Sequence, residues 1–237
     1  MSLAGDWREF RAKLVADEGN PELALEETWA HATGAAEVGG LLLATLDAPK
    51  LLGDEYWQAV VFIIRHDEQG TLGLILNRPT SLHMGRGRGG LPLTVEGMES
   101  MREAFGASPL YCGGFKAQQA ITLLHGQRRL ESCMEVVPGI YIGGQNAAVV
   151  EVTTGGLSQS DFRFFAGCCS WKPGELEQQI SRGAWQPAAC SRTLVLKQCL
   201  KLPVPLWREC MCLLGGEWAE AARRQRRIDE GSDSEEE

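Results

Sequence analysis

The apolar run at residues 72–76 stops abruptly in Asn77-Arg78-Pro79. An arginine at a strand end is built to hold a carboxylate or phosphate through two parallel hydrogen bonds, or to pair with an internal acid. The same trio also suits the end of a strand. Pro79 has no amide hydrogen for a ladder and pushes Arg78 toward extended geometry, while Asn77 can bond its own backbone and begin a turn. Both readings stand on these residues alone. His125 closes a second apolar run, 120–126, and has the chemistry of an acid/base or a ligand, or of a hydrogen-bonded structural histidine. With Arg78 binding an anionic small molecule and His125 moving a proton, the two would make an enzyme. Glu175 and Glu177 are two residues apart, so on a helix they point to different sides and do not form a paired-carboxylate site.

The remaining reactive residues are scattered. Eight cysteines occur at irregular intervals (Cys112, Cys133, Cys168, Cys169, Cys190, Cys199, Cys210 and Cys212) without a C-x-x-C pair. The zinc-ribbon and thioredoxin signatures are therefore missing, and free thiols are expected, with no metal and no cofactor. Vicinal Cys168-Cys169 is a redox candidate, although in a strand the two would face opposite ways. Arg86 and Arg88 lie in the glycine-rich run "HMGRGRGG", which lacks the Lys-Ser/Thr of a phosphate loop. With the run Arg223–Arg227 they are the routes to nucleic acid. The formal net charge is −8. The segment "DEGSDSEEE" at 229–237 carries six acids and no base, which leaves −8 + 6 = −2 for the rest. A nearly neutral body offers no basic face to a duplex.

These residues must be positioned by a framework of strands. Asp6-Trp7-Arg8-Glu9 reads as a capping box opening a short amphipathic helix to about residue 17, and 18–38 reads as a connector. Strands are expected at 40–45, 59–65 and 72–77, the last two joined as a hairpin through Asp67–Gly70. Both are apolar enough to need cover on two faces. A solvated loop follows over 80–93, then a helix over 95–105. "LYCGG" at 110–114 leads into a further strand at 120–126, and others are expected at 139–144, 162–167 and 193–197. Helices are expected over 171–185, from Pro205 onward, and through the charged stretch 217–227. "GSDSEEE" is expected to be disordered, with Ser232 and Ser234 in an acidic context suited to a kinase. The longest apolar run, 59–64, is far too short to span a bilayer, so no membrane insertion is expected. The first residues show no apolar leader, which reads as a cytoplasmic chain or a mature form.

Three segments together resemble the YqgE/AlgH family, particularly its plant and green-algal branch, over about residues 39–215. They are "GLLLATLDAPKLLGDEYWQAVVFIIRHDEQGTLGLILNRP", "YCGGFKAQQAITLLHG" and "FRFFAGCCSWKPGELEQQISRGAW". The chain departs from the family pattern at Phe115, where a proline is common, and at Cys168-Cys169-Ser170. The resemblance implies an α+β fold. A mixed, partly barrel-like sheet with packed helices would form a single domain over 39–215. Residues 1–38 would precede it as helix and connector, and 216–237 would follow as a charged helix and acidic tail. It also implies a chloroplast stroma home, and some bacterial relatives are called transcriptional regulators. It brings no catalytic set. The expected function is a non-enzymatic binding or regulatory module with a protein or small-molecule partner. The expected site, drawn from the three segments, is Asn77, Arg78, Gly113, Gly114, Trp171 and Glu175.

Overall fold

The computed structural model describes residues 28–90, 98–200 and 202–232. The N-terminal helix expected from residue 6 lies outside them, as does the tail beyond Ser232. In chain order the strands are β1 (Ala30–Ala32), β2 (Leu41–Ala44), β3 (Val60–Asp67), β4 (Gly70–Ile75), β5 (Pro79–His83), β6 (Pro109–Cys112), β7 (Lys116–His125), β8 (Cys133–Val137), β9 (Ile140–Gly143), β10 (Phe162–Trp171) and β11 (Trp185–Cys190). The helices are α1 (Ala48–Leu52), α2 (Met98–Ala104), α3 (Gln145–Thr153), α4 (Glu175–Ser181), α5 (Arg192–Leu196), α6 (Leu206–Leu214) and α7 (Gly216–Ser232).

The apolar runs form the centre. β2, β3 and β4 are antiparallel neighbours, and Asp67 pairs with Gly70 at the hairpin. Alternate residues enter different cores. Leu41, Leu43, Val60, Phe62 and Leu74 face one side, whereas Leu42, Val61, Ile63 and Ile75 face the other. That is the two-sided cover such strands require.

Among the described residues the sheet runs β1-β11-β2-β3-β4-β10-β7-β9-β8, with β5 and β6 branching from β10. β6 lies parallel to β10 and the other pairs are antiparallel, so the α+β class and mixed sheet are as expected. The path is open and does not close on itself. β10 is where it forks. Its first half pairs with β7 on one side and β6 on the other, and its second half, Cys169–Trp171, pairs with β4. The change of partner occurs at a bulge around Gly167, whose φ of +74° suits glycine.

Five expectations need correction. The stretch 193–197 is helical, not a strand: α5 starts after Ser191, with Leu194 and Val195 buried. Its apolar, β-branched composition is outweighed by tertiary context, since β11 immediately before it already fills the sheet position beside β2. The helix read over 171–185 shrinks to α4, because Trp171 ends β10 and Trp185 begins β11. β4 ends at Ile75, and Pro79 opens β5, so the loop read over 80–93 begins as an edge strand. The connector read over 18–38 contributes β1, which pairs with β11. At the other end, α7 continues through Gly231 and Ser232, where disorder was expected. Among the described residues no helix is long and apolar enough to cross a membrane.

Candidate functional site

Of the six residues expected from the sequence, Gly113 and Gly114 lie at the fork, Asn77 and Arg78 at the turn before β3, and Trp171 and Glu175 at the far end of β10 and the start of α4. Asn77 Oδ1 accepts from the Val60 amide at 3.0 Å, and its Nδ2 donates to the Gln58 carbonyl at 2.8 Å. Arg78 Nη2 donates to the Trp57 carbonyl. Together they hold the turn before β3, where Gln58 has a φ of +51°, a conformation that is uncommon outside glycine. Arg78 is half-buried, and burial pulls its guanidinium below the usual range. The strand-ending and anion-holding readings therefore resolve into a third: the arginine grips a carbonyl of its own chain.

Gly113 and Gly114 pass between β4 and β10. Gly113 donates to the Ala166 carbonyl and accepts from the Ile75 amide, each at 2.8 Å. A Cβ on Gly113 would come 2.5 Å from the Gly167 oxygen, and one on Gly114 would fall inside the Cys168 carbonyl. Gly114 also has a φ of +152°. Only glycine allows the two backbones to cross this closely. Trp171 is buried, and its Nε1 donates to Gln179 Oε1 at 2.9 Å; Trp185 Nε1 donates to the same oxygen at the same distance. Glu175 Oε2 accepts from the Lys172 amide at 2.9 Å and so closes the turn leading into α4.

What this frame holds outward was not picked from the sequence. Trp57 and Phe115 are 39% and 38% exposed, among the larger apolar side chains left at the surface. Half-buried Tyr56 connects this patch to the core. Its ring meets Phe115 and Trp185 edge-on, each at 5.5 Å between centroids. Burial pushes the Tyr56 phenol well above its usual range, and the charges of Glu55 and Glu175 push it the same way. Among the described residues neither Tyr56 Oη nor Trp57 Nε1 has a hydrogen-bond partner. Among the described residues, two of the three non-glycine residues with positive φ, Gln58 and Ala117, sit just after the exposed rings. The sequence signal was present in "YWQ" and in Phe115 standing where a proline is common, but exposure cannot be read from composition.

His125 is not part of this patch. It is fully buried, Nε2 donates to the Gly143 carbonyl at 3.2 Å, and Nδ1 accepts from the Gln127 amide at 3.2 Å. Its ring stacks on Tyr141, and burial lowers its pKa, which favours the neutral ring. Its level on β10 is Phe162, whereas Arg78 bonds Cys112 at the level of Ala166. Four residues of strand, about 13 Å, and two different flanks of β10 separate them. The acid/base pairing of His125 with Arg78 is not assembled.

The other candidates stay apart as well. All eight cysteines are free, and Cys168 and Cys169 face opposite cores, as alternation on a strand requires. Among the described residues no three His, Cys, Asp or Glu side chains converge as a metal site. Arg86 pairs with Glu99, Arg88 is exposed, and the arginines of the 223–227 run lie on the surface of α7.

A family model described as AlgH-like matches residues 44–219. A UPF0301 protein of Chlorobium phaeobacteroides is 30% identical over 182 residues, covering 76% of this chain and 88% of its own. A UPF0301 protein of Chlamydia muridarum is 29% identical over 187 residues, covering 77% and 89%. Among solved structures, protein DIP2367 of Corynebacterium diphtheriae superposes with a TM-score of 0.62 at 21% identity, over 81% of this chain and 94% of that one. The AlgH protein of Pseudomonas aeruginosa gives 0.57 at 20% identity, over 80% and 95%. At these identities the structural likeness speaks for the fold.

Proposed function

The chain belongs to the AlgH-like family, and from that premise we propose that it is a non-enzymatic binding module whose contact surface is the patch of Tyr56, Trp57 and Phe115. One observation carries this reading. The residues of the family-like segments hold backbone at the base of the patch, while the aromatic rings face outward with unpartnered donors. Tryptophan, tyrosine and arginine are the residues on which binding energy concentrates at protein interfaces, and a rigid frame lowers the cost of ordering them. Asn77, Arg78, Gly113, Gly114, Trp171 and Glu175 are then the frame of the site. The separation of His125 from Arg78 favours binding over catalysis.

The test is native mass spectrometry of the chain taken from its own cells under gentle conditions, beside a Trp57→Ala/Phe115→Ala variant. The expected result is a partner retained by the natural chain and lost from the variant, with unchanged thermal unfolding. A partner that stays on the variant would refute the reading. The same preparation reports the plastid home that the family resemblance suggests: the chain should co-fractionate with stroma.

A further inference from the structure

A groove of about 420 Å³ runs between α6 and α7. Pro203, Val204 and Cys212 give it apolar walls, and all three are exposed, Val204 by 41%. Arg208, Arg223 and Arg226 also line it, and among the described residues the lining holds no carboxylate. Asp229 stands alongside: Arg208 Nη2 donates to its Oδ2 at 3.1 Å, and Gln225 Nε2 donates to its Oδ1 at 2.7 Å. Arg208 Nε is buried and has no hydrogen-bond partner among the described residues. Arg226 has an interaction of its own, so the charge that matters here is on Arg208 and Arg223. A surface that is apolar and cationic together asks for an occupant that is apolar and acidic together.

Residues 1–27 of the same chain have that character. They hold seven acids and three bases, a net charge of −4. Trp7, Phe10 and Leu14 share one face of the helix expected over 6–17. Asp6 and Asp17 flank one edge of that face, with Lys13 further round. The place where this segment joins the body is close to the groove. The Trp29 amide donates to Ser191 Oγ at 3.3 Å, and its carbonyl accepts from the Ser191 amide at 2.9 Å. β1 follows as the end strand of the sheet, and α6 packs over it, with Ala30 in one core with Leu206, Cys210 and Ala222. Residues 18–27 can reach up to about 33 Å. α6 is only about 14 Å long, so the segment before them can lie along the groove. The other acidic segment, "DSEEE" at 233–237, has no apolar side chain to set against Pro203 and Val204. We propose that residues 6–17 dock as an amphipathic helix in the α6–α7 groove. Trp7, Phe10 and Leu14 cover its apolar walls, and the edge bearing Asp6 and Asp17 faces Arg208 and Arg223.

Cys212 lies in the groove and reports on it directly. The full chain is alkylated with iodoacetamide, and the rate at Cys212 is read by mass spectrometry, with buried Cys190 reporting on the integrity of the core. Trp7→Ala/Phe10→Ala should raise the Cys212 rate about 10-fold or more, the loss expected on truncating two aromatic anchors, and leave Cys190 unreactive. Arg223→Glu should raise it in the same direction, and Asp17→Arg added to Arg223→Glu should bring it back down. In a second preparation a photoreactive benzoylphenylalanine replaces Phe10, and irradiation should join it to residues 203–226 of the same chain. If a variant exposes Cys190, this crosslink alone decides. Equal Cys212 rates in the natural and variant chains would overturn the proposal, as would a crosslink that falls elsewhere on the body. A crosslink to 203–226 of a second chain, with Cys212 protection that fades on dilution, would also overturn it and assign the groove to a dimer.

Discussion

Arg163 and Arg78 do the same kind of work at different depths. Arg163 is buried on β10 and donates to the Leu76 carbonyl at 2.6 Å and the Val195 carbonyl at 2.9 Å. Its guanidinium lies 4.6 Å from the Tyr111 ring centroid and 4.9 Å from that of Phe165. Arg78, at the strand end that follows Leu76, grips the Trp57 carbonyl but is half open to solvent. Neither is paired with a carboxylate among the described residues. The inner arginine ties segments of the core to one another, and its surroundings are closed. The outer one ties down a turn whose side chain faces water. On the proposed reading, a charged residue of a family-like motif serves binding by presentation, without touching the partner itself.

Arg163→Leu leaves two buried carbonyls without donors and should cost about 2–5 kcal/mol. Calorimetry should show this as a drop of roughly 2–4 °C in Tm per kcal/mol. A neutral result would mean that the interior clamp is replaceable by packing, as some buried charges are. Gly114→Ala forces a Cβ into the Cys168 carbonyl and should cost about 1–3 kcal/mol. It should also disturb Phe115 next to it, whereas Gly174→Ala, where a Cβ meets nothing within 4 Å, tests the cost of positive φ alone.

Arg78→Ala should be milder, about 1 kcal/mol in denaturant titrations, since water reaches its partners. Its effect on partner binding should nevertheless match that of Trp57→Ala. An Arg78→Ala variant that binds normally would end the presentation account. His125 marks the opposite case, a titratable group with no outward role. Its folded-state pKa is lowered, so its contribution to stability is present above the unfolded value, near 6.5, and is lost as pH falls through the folded one. Unfolding of the natural chain should therefore become easier from about pH 7 downward. His125→Gln should flatten that part of the profile, with partner binding unchanged.

How much of this was legible depends on which forces set each element. The β3–β4 hairpin and α6 were readable because apolar spacing and a polar turn specify them locally. β11 was hidden by Pro187, which a strand flanked on both sides rarely carries, and β1 is a strand only because β11 lies beside it. The segment 193–197 has strand composition and folds as α5, since the position beside β2 is filled by β11 and Leu194 and Val195 are buried from the helix. At the site, Asn77, Arg78 and the paired glycines were visible as unusual residues in apolar surroundings. Their partners were not, because the carbonyls of Trp57 and Gln58 lie about 20 residues away in the chain. Trp57 itself sits in "DEYWQ", between the strands expected at 40–45 and 59–65, where nothing in the neighbouring residues marks its ring as exposed.

The link from Arg78 to Trp57 is the account's central claim, and fluorine NMR of the 5-fluorotryptophan-labelled chain tests it without any partner. Arg78→Ala should move or broaden the Trp57 resonance and leave that of Trp207, deep in the core, where it was. If the Trp57 resonance is unchanged while Arg78 is gone, the arginine does not hold the ring, and the frame and the patch are separate features.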